Sequence, residues 1–285
     1  PGNRSVYKKM PQLSKTTYTH QYLVDGSPSE NDVFVKGSWK TILAASLGTG
    51  GQGIFALNIT DPSQYSEANA NNIYLFEFSD EDDPDLGYVH GKISIAKVRS
   101  ASNPKGQWAL IFGNGYNNSE ADGYASTTGK AYLYILFLDA LSDGSIAPGD
   151  YIKIPVGTGS VSSPNGLSAP YVVDIDGDYI VDYVYAGDLQ GNLWKFDLRD
   201  TNPGNWSSKA SLLFAAKFST TGDQPITAQP IVGPHPNGIS QGVMVYFGTG
   251  KYLETTDNNP DNSVTQSFYA IWDKLDGSQP LKNNL

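Results

Sequence analysis

A chain of 285 residues with 39% hydrophobic and 17% charged side chains has a globular composition, long enough for one large domain or two ordinary ones. Its net charge of −10 argues against a nucleic-acid partner, which needs clustered lysine and arginine, and favours cations. With no cysteine it can form no disulfide, thiolate nucleophile or zinc–thiolate site, and no apolar run approaches the roughly 20 residues that span a bilayer.

The 30 glycines, 17 prolines and 18 tyrosines suit short strands joined by tight turns, so the expected class is all-β. The opening PGNRSVYKKMPQL shows neither a strand pattern nor a signal-peptide pattern, and the chain is read as soluble or as a piece of something longer. After it, one phrase recurs four times: an apolar strand, a glycine-centred turn, then a strand ending in an aromatic residue and usually Asn or Asp. The copies are TILAASLGTGGQGIFALNITD (41–61), WALIFGNGYNNSEADGYASTTGKAYLYILFLDA (108–140), DYVYAGDLQGNLWKFDL (182–198) and VMVYFGTGKYLETTDNNPDNSVTQSFYAIWDK (243–274). Aligning Gly48, Gly113, Gly187 and Gly248 gives intervals of 65, 74 and 61 residues.

A short extended run precedes each copy, within YLVDGSPSENDVFV, GYVHGKISIAKV, LSAPYVVDIDGD and ITAQPIVGPHP. An outer strand follows three of them: IYLFEFS (73–79), DYIKIPV (150–156) and ASLLFAAKF (210–218). Repeated four-stranded antiparallel units with aromatic strands and glycine turns predict a β-propeller, with polar insertions such as DPSQYSEANANN stretching the compact blade. A tandem of immunoglobulin-like sandwiches is the rival, but it would carry a Cys–Trp–Cys spacing. No linker stands out, so residues 1–285 are read as one propeller domain, either with degenerate blades in its gaps or cut from a larger ring.

The third repeat contains DIDGDYIVD, in which Asp174, Asp176, Asp178 and Asp182 stand at positions one, three, five and nine of a loop between two apolar strands. A tight loop turns its odd positions toward one point. With the main-chain carbonyl of Ile180 at position seven, this set suits calcium (Ca2+), a hard cation that takes six to eight oxygens. An EF-hand would have glycine at position six and glutamate at twelve, whereas Tyr179 and Tyr185 stand there. An acidic turn built on Asp176–Gly177 is the alternative. Against it, the carboxylates repel one another, and no lysine or arginine occurs between Lys153 and Lys195 to offset them. All five ligands lie in one segment, so a bound cation is expected to order mainly local contacts.

Catalytic signatures are missing: no GxSxG elbow, no phosphate-binding loop followed by a helix, and no paired histidine spacing among His20, His90 and His235. GTGGQG and GTGK read as hairpin turns, EDDPD (81–85) as a solvated loop, and Phe55, Trp194 and Trp272 as aromatics packed between blades.

YLVDGSP, LGTGGQGIFALNITDP, FGNGYNNSEADG, DIDGDYIVDYVYAGDLQGNLWKFDLR and VYFGTGKYL resemble the carboxy-terminal propeller of the PilY/PilC family of type IV pilus-associated proteins, over roughly residues 22–274. The resemblance implies a modified, quinoprotein-like propeller of up to seven blades and a non-enzymatic role at the bacterial surface or pilus tip, reached through the periplasm and outer membrane. Its implied partners are pilins or minor pilins and a host-cell or surface ligand. Asp174, Asp176, Asp178, the Ile180 carbonyl and Asp182 match the family's calcium ligands, with calcium implied to tune pilus extension and retraction and twitching. Two other classes are weighed beside it: a quinoprotein-type dehydrogenase, whose blades carry a GK-x-x-W tail not found here, and a carbohydrate-binding propeller.

Overall fold

The computed structural model describes residues 9–141, 144–217, 222–258 and 265–278. Its strands form four antiparallel sheets in chain order, each a meander in which every strand pairs with the next. The first holds β1 (Ser29–Val35), β2 (Ser38–Ser46), β3 (Gly53–Asn58) and β4 (Tyr74–Ser79). The second holds β5 (Ser94–Val98), β6 (Gln107–Gly113), β7 (Ala131–Phe137) and β8 (Tyr151–Val156). The third holds β9 (Tyr171–Val173), β10 (Tyr183–Gly187), β11 (Asn192–Asp197) and β12 (Ala210–Ala215). The fourth has three strands among the described residues, β13 (Ile231–Pro234), β14 (Val243–Gly248) and β15 (Phe268–Asp273). The expected repeat is therefore the sheet, and its three outer strands are β4, β8 and β12.

The core lies between the sheets. Successive side chains of a strand point to opposite faces, so a middle sheet can bury both. In β6, Leu110 and Phe112 join Val33, Ile54 and Phe78 of the first sheet, while Ala109 and Ile111 join Val184, Ala186 and Phe196 of the third. β7 reads AYLYILF with no polar position because its two faces serve two cores, and all seven residues are buried. The same division in β10 sends Tyr183 and Tyr185 toward Val245 and Phe247 of the fourth sheet.

Two of the four aligned glycines are explained by the segments that enter the next sheet. A Cβ on Gly113 would stand 2.3 Å from the carbonyl oxygen of Leu167, on the way into β9. One on Gly187 would stand 2.2 Å from Ile226 Cγ2, on the way into β13. Gly248, in the last sheet, meets nothing within 4 Å.

Two expectations change here. GTGGQG does close β2 onto β3, but GTGK opens a longer connection, since β14 ends at Gly248 and β15 begins at Phe268. Trp194 packs against the second core and Phe55 is half-buried, whereas Trp272 is exposed, its Nε1 donating to Gln241 O and its ring stacked on His235. Trp272 lies on the outer face of the fourth sheet, and no further sheet covers that face among the described residues.

Candidate metal centre

Residues 174–182 connect β9 to β10, whose pairing of Val173 with Tyr183 brings the ends of the loop together. Inside it the carboxylates cap main-chain amides. Asp174 accepts from the N–H groups of Gly177 and Tyr179, both at 2.8 Å, and Asp182 Oδ2 accepts from Ile175 N at 2.9 Å. Asp178 Oδ1 accepts from Ile180 N at 2.8 Å. Tyr179 holds φ at 65°, the left-handed conformation that an EF-hand loop reserves for glycine at position six, and its side chain is 83% exposed. Holding a non-glycine residue there costs about 1–2 kcal/mol, and the loop bends sharply without the glycine.

Carboxylate oxygens of Asp174, Asp176 and Asp182 lie within 4.8 Å of one another. Oxygens bound to one calcium ion at about 2.4 Å can be no further apart than about 4.8 Å, so this spacing fits a calcium shell. The donors are all hard oxygens. Asp182 is 2% exposed, at the floor of the loop, while Asp176 is largely in solvent. Of the five expected ligand residues, the structure gathers these three carboxylates, turns Asp178 aside and buries the Ile180 side chain.

The loop is not isolated from the rest of the molecule, contrary to expectation. Arg99, just past β5 in the second sheet, reaches it: Nη1 donates to Asp178 Oδ2 at 2.7 Å, Nη2 donates to Asp182 Oδ1 at 2.9 Å, and Nη2 stands 3.7 Å from Asp176 Oδ2. Partial burial works against the charge of Arg99, but the hydrogen bonds to Asp182 and Asp178 outweigh it and raise its pKa. Beside the guanidinium, Val181 N donates to Lys97 O at 2.9 Å. A Cβ on Gly106 would come within 3.2 Å of Ile180 Cδ1. The loop thus sits on the β5–β6 connection, at the seam between two sheets. Nothing in its own nine residues signals Arg99, which is 79 residues from Asp178.

The other acidic run also departs from expectation. Glu81 and Asp82 are exposed, but Asp83 and Asp85 are buried. Lys153 Nζ, from β8, donates to both at 2.7 Å, and Tyr151 donates its hydroxyl hydrogen to Asp83 at 2.8 Å. Burial alone would raise the pKa of Asp85; hydrogen bonds from Lys153 and Ser126 lower it instead. In YAGDLQGNLW, Asp188 is fully buried and accepts from the Asn192 amides, Trp194 Nε1 and Asn165 Nδ2, which makes it the hub of the β10–β11 turn. His20, His90 and His235 take no part in a metal-binding group among the described residues.

Comparison with known proteins decides the family. A family model described as the PilY1 beta-propeller domain matches residues 2–280. The chain belongs to the PilY1 β-propeller family. The type IV pilus biogenesis factor PilY1 of Pseudomonas aeruginosa PAO1 is 38% identical over 95% of this chain and 22% of its own length. A PilY1 homolog of Xylella fastidiosa is 38% identical over 92% of this chain and 17% of its own. The crystal structure of the P. aeruginosa PilY1 C-terminal domain superposes with a TM-score of 0.71 at 36% identity, covering 97% of this chain and 54% of that one. The chain therefore spans about a fifth of the curated relatives it matches and about half of the solved domain. No helix among the described residues is long and apolar enough to cross a membrane.

Proposed function

We propose that this chain is the calcium-binding part of a type IV pilus biogenesis protein at the bacterial cell surface, acting by binding rather than by catalysis. The observation that carries the reading is the convergence of Asp174, Asp176 and Asp182 at the seam of two blades, in a chain of the PilY1 propeller family. Asp178 and the Ile180 carbonyl complete the proposed ligand set. Calcium supplies a fixed charge that binds the carboxylates to one another and stiffens the β9–β10 connection. The proposed partners are pilins or minor pilins and a surface or host-cell ligand, with calcium occupancy tuning pilus extension and retraction, twitching and attachment. The test is Asp176→Ala in the full-length protein, scored for calcium binding in vitro and for piliation and twitching in cells. Loss of calcium binding with altered motility supports the regulatory reading. Loss of binding with unaltered motility reduces the loop to a structural clip.

One observation favours a second reading, carbohydrate binding. A cavity of about 780 Å³ beside the loop is lined by Trp39, Trp108 and Tyr179 together with Asn31, Asp32 and Asp174. Aromatic faces flanked by carboxylates and amides suit a sugar's CH surface and hydroxyls. Binding on a glycan array that is lost in Trp39→Ala would favour it.

A further inference from the structure

Arg99 occupies the very carboxylates the cation needs. Nη2 contacts Asp182 and stands near Asp176, two of the three converging residues, while Nη1 holds Asp178 Oδ2. The other oxygen of Asp178 accepts from the amide of Ile180, so while Arg99 stays in place a cation reaches Asp178 only by sharing an oxygen with the guanidinium or with the main chain. Calcium's preference for six to eight oxygens asks for the Asp178 carboxylate as well as the other three. We infer that Arg99 and the cation compete for one set of carboxylates, so that Arg99 sets the loop's calcium affinity and ties its occupancy to the neighbouring sheet.

This rests on the calcium reading and adds a partner from outside the loop. Two effects act in the same direction. A guanidinium and a dication that share Asp182 and Asp176 stand only a few ångströms apart, and their repulsion weakens cation binding. Freeing Asp178 also breaks a charge-assisted hydrogen bond. The opposite role, a scaffold that holds the carboxylates ready for the ion, predicts the opposite sign. Arg99 directly follows Val98, a fully buried residue of the core between the second and third sheets, and Lys97 O accepts the loop's Val181 amide. Release of the guanidinium therefore changes contacts at the seam itself.

The experiment titrates calcium chloride into the wild type, Arg99→Gln and Arg99→Lys by calorimetry, at low and at high salt. Arg99→Gln should bind about tenfold more tightly at low salt, with the gain shrinking as salt screens the charges, and Arg99→Lys should stay near the wild type. Calcium should raise the melting temperature of Arg99→Gln more than that of the wild type. It should change amide exchange across residues 97–106 in the wild type but not in Arg99→Gln. Equal or weaker binding by a folded Arg99→Gln overturns the inference while leaving the calcium site intact, and so does wild-type exchange that ignores calcium. Absence of uptake by all three proteins overturns the calcium reading itself and this inference with it.

Discussion

Two acidic runs, residues 81–85 and 174–182, each meet one cationic side chain from the second sheet, with opposite results. Asp83 and Asp85 are buried and share Lys153, whose ammonium donates 2.7 Å hydrogen bonds to both. At the loop, three of the four aspartates share Arg99, and Asp176 and Asp178 stay open to solvent. In the first run the two buried carboxylates are held by hydrogen bonds from Lys153 and Tyr151. The second is half-open and over-supplied with carboxylate. Excess charge facing water, rather than the number of aspartates, separates a candidate cation site from a structural network.

Removing the cation from each run tests that contrast. Lys153→Met leaves two buried carboxylates without their counter-charge and should cost on the order of 3 kcal/mol, seen as a lower denaturant midpoint. Calcium should not restore it. A midpoint within error of the wild type would show that the network is as solvated as the loop.

A smaller effect is expected at Asp80, beside the first run. Burial and the neighbouring Asp122 carboxyl, hydrogen-bonded to it, push its pKa up to about 7. The folded state then binds a proton that the unfolded chain has already released, so stability falls as pH rises from about 4 to about 7. Asp80→Asn should flatten that decline and stabilise the protein at pH 8 by at least about 1 kcal/mol. Melting curves at pH 5 and pH 8 check it, and parallel shifts at both would contradict it.

In the open run, Tyr179→Gly relieves the left-handed backbone at 65°, with a gain of up to about 1 kcal/mol after the added freedom of the unfolded chain is counted. Equilibrium unfolding without calcium measures it, and a loss of stability would mean that the Tyr179 side chain holds the loop. The smallest effect belongs to Asp176→Ala. That carboxylate is 61% exposed and accepts one long bond, from Asp178 N at 3.2 Å, so calcium-free stability should move by less than about 0.5 kcal/mol in unfolding curves.

The repeat was readable because each sheet is a local meander, so alternation and glycine turns are written within about 60 residues of chain. The loop's ligand spacing was readable for the same reason. The partners of both acidic runs were not. Lys153 lies 70 residues from Asp83 and Arg99 lies 83 from Asp182, and these pairs meet only because successive sheets stack face to face. EDDPD looks solvated until β8 is laid against it. Trp272 looks like a core aromatic because it matches Trp194 in the repeat, yet Trp194 has a sheet to pack against and Trp272 has none among the described residues.

The most direct test of the central claim is a calorimetric titration of calcium chloride into the wild type and Asp176→Ala, both first freed of calcium by a chelator. Asp176→Ala removes a converging carboxylate with little disturbance of the fold. The account predicts one site per chain in the wild type and at least tenfold weaker binding in the variant, with unchanged melting when calcium is absent. Equal calcium affinity in the two proteins, or no binding by the wild type, would contradict it.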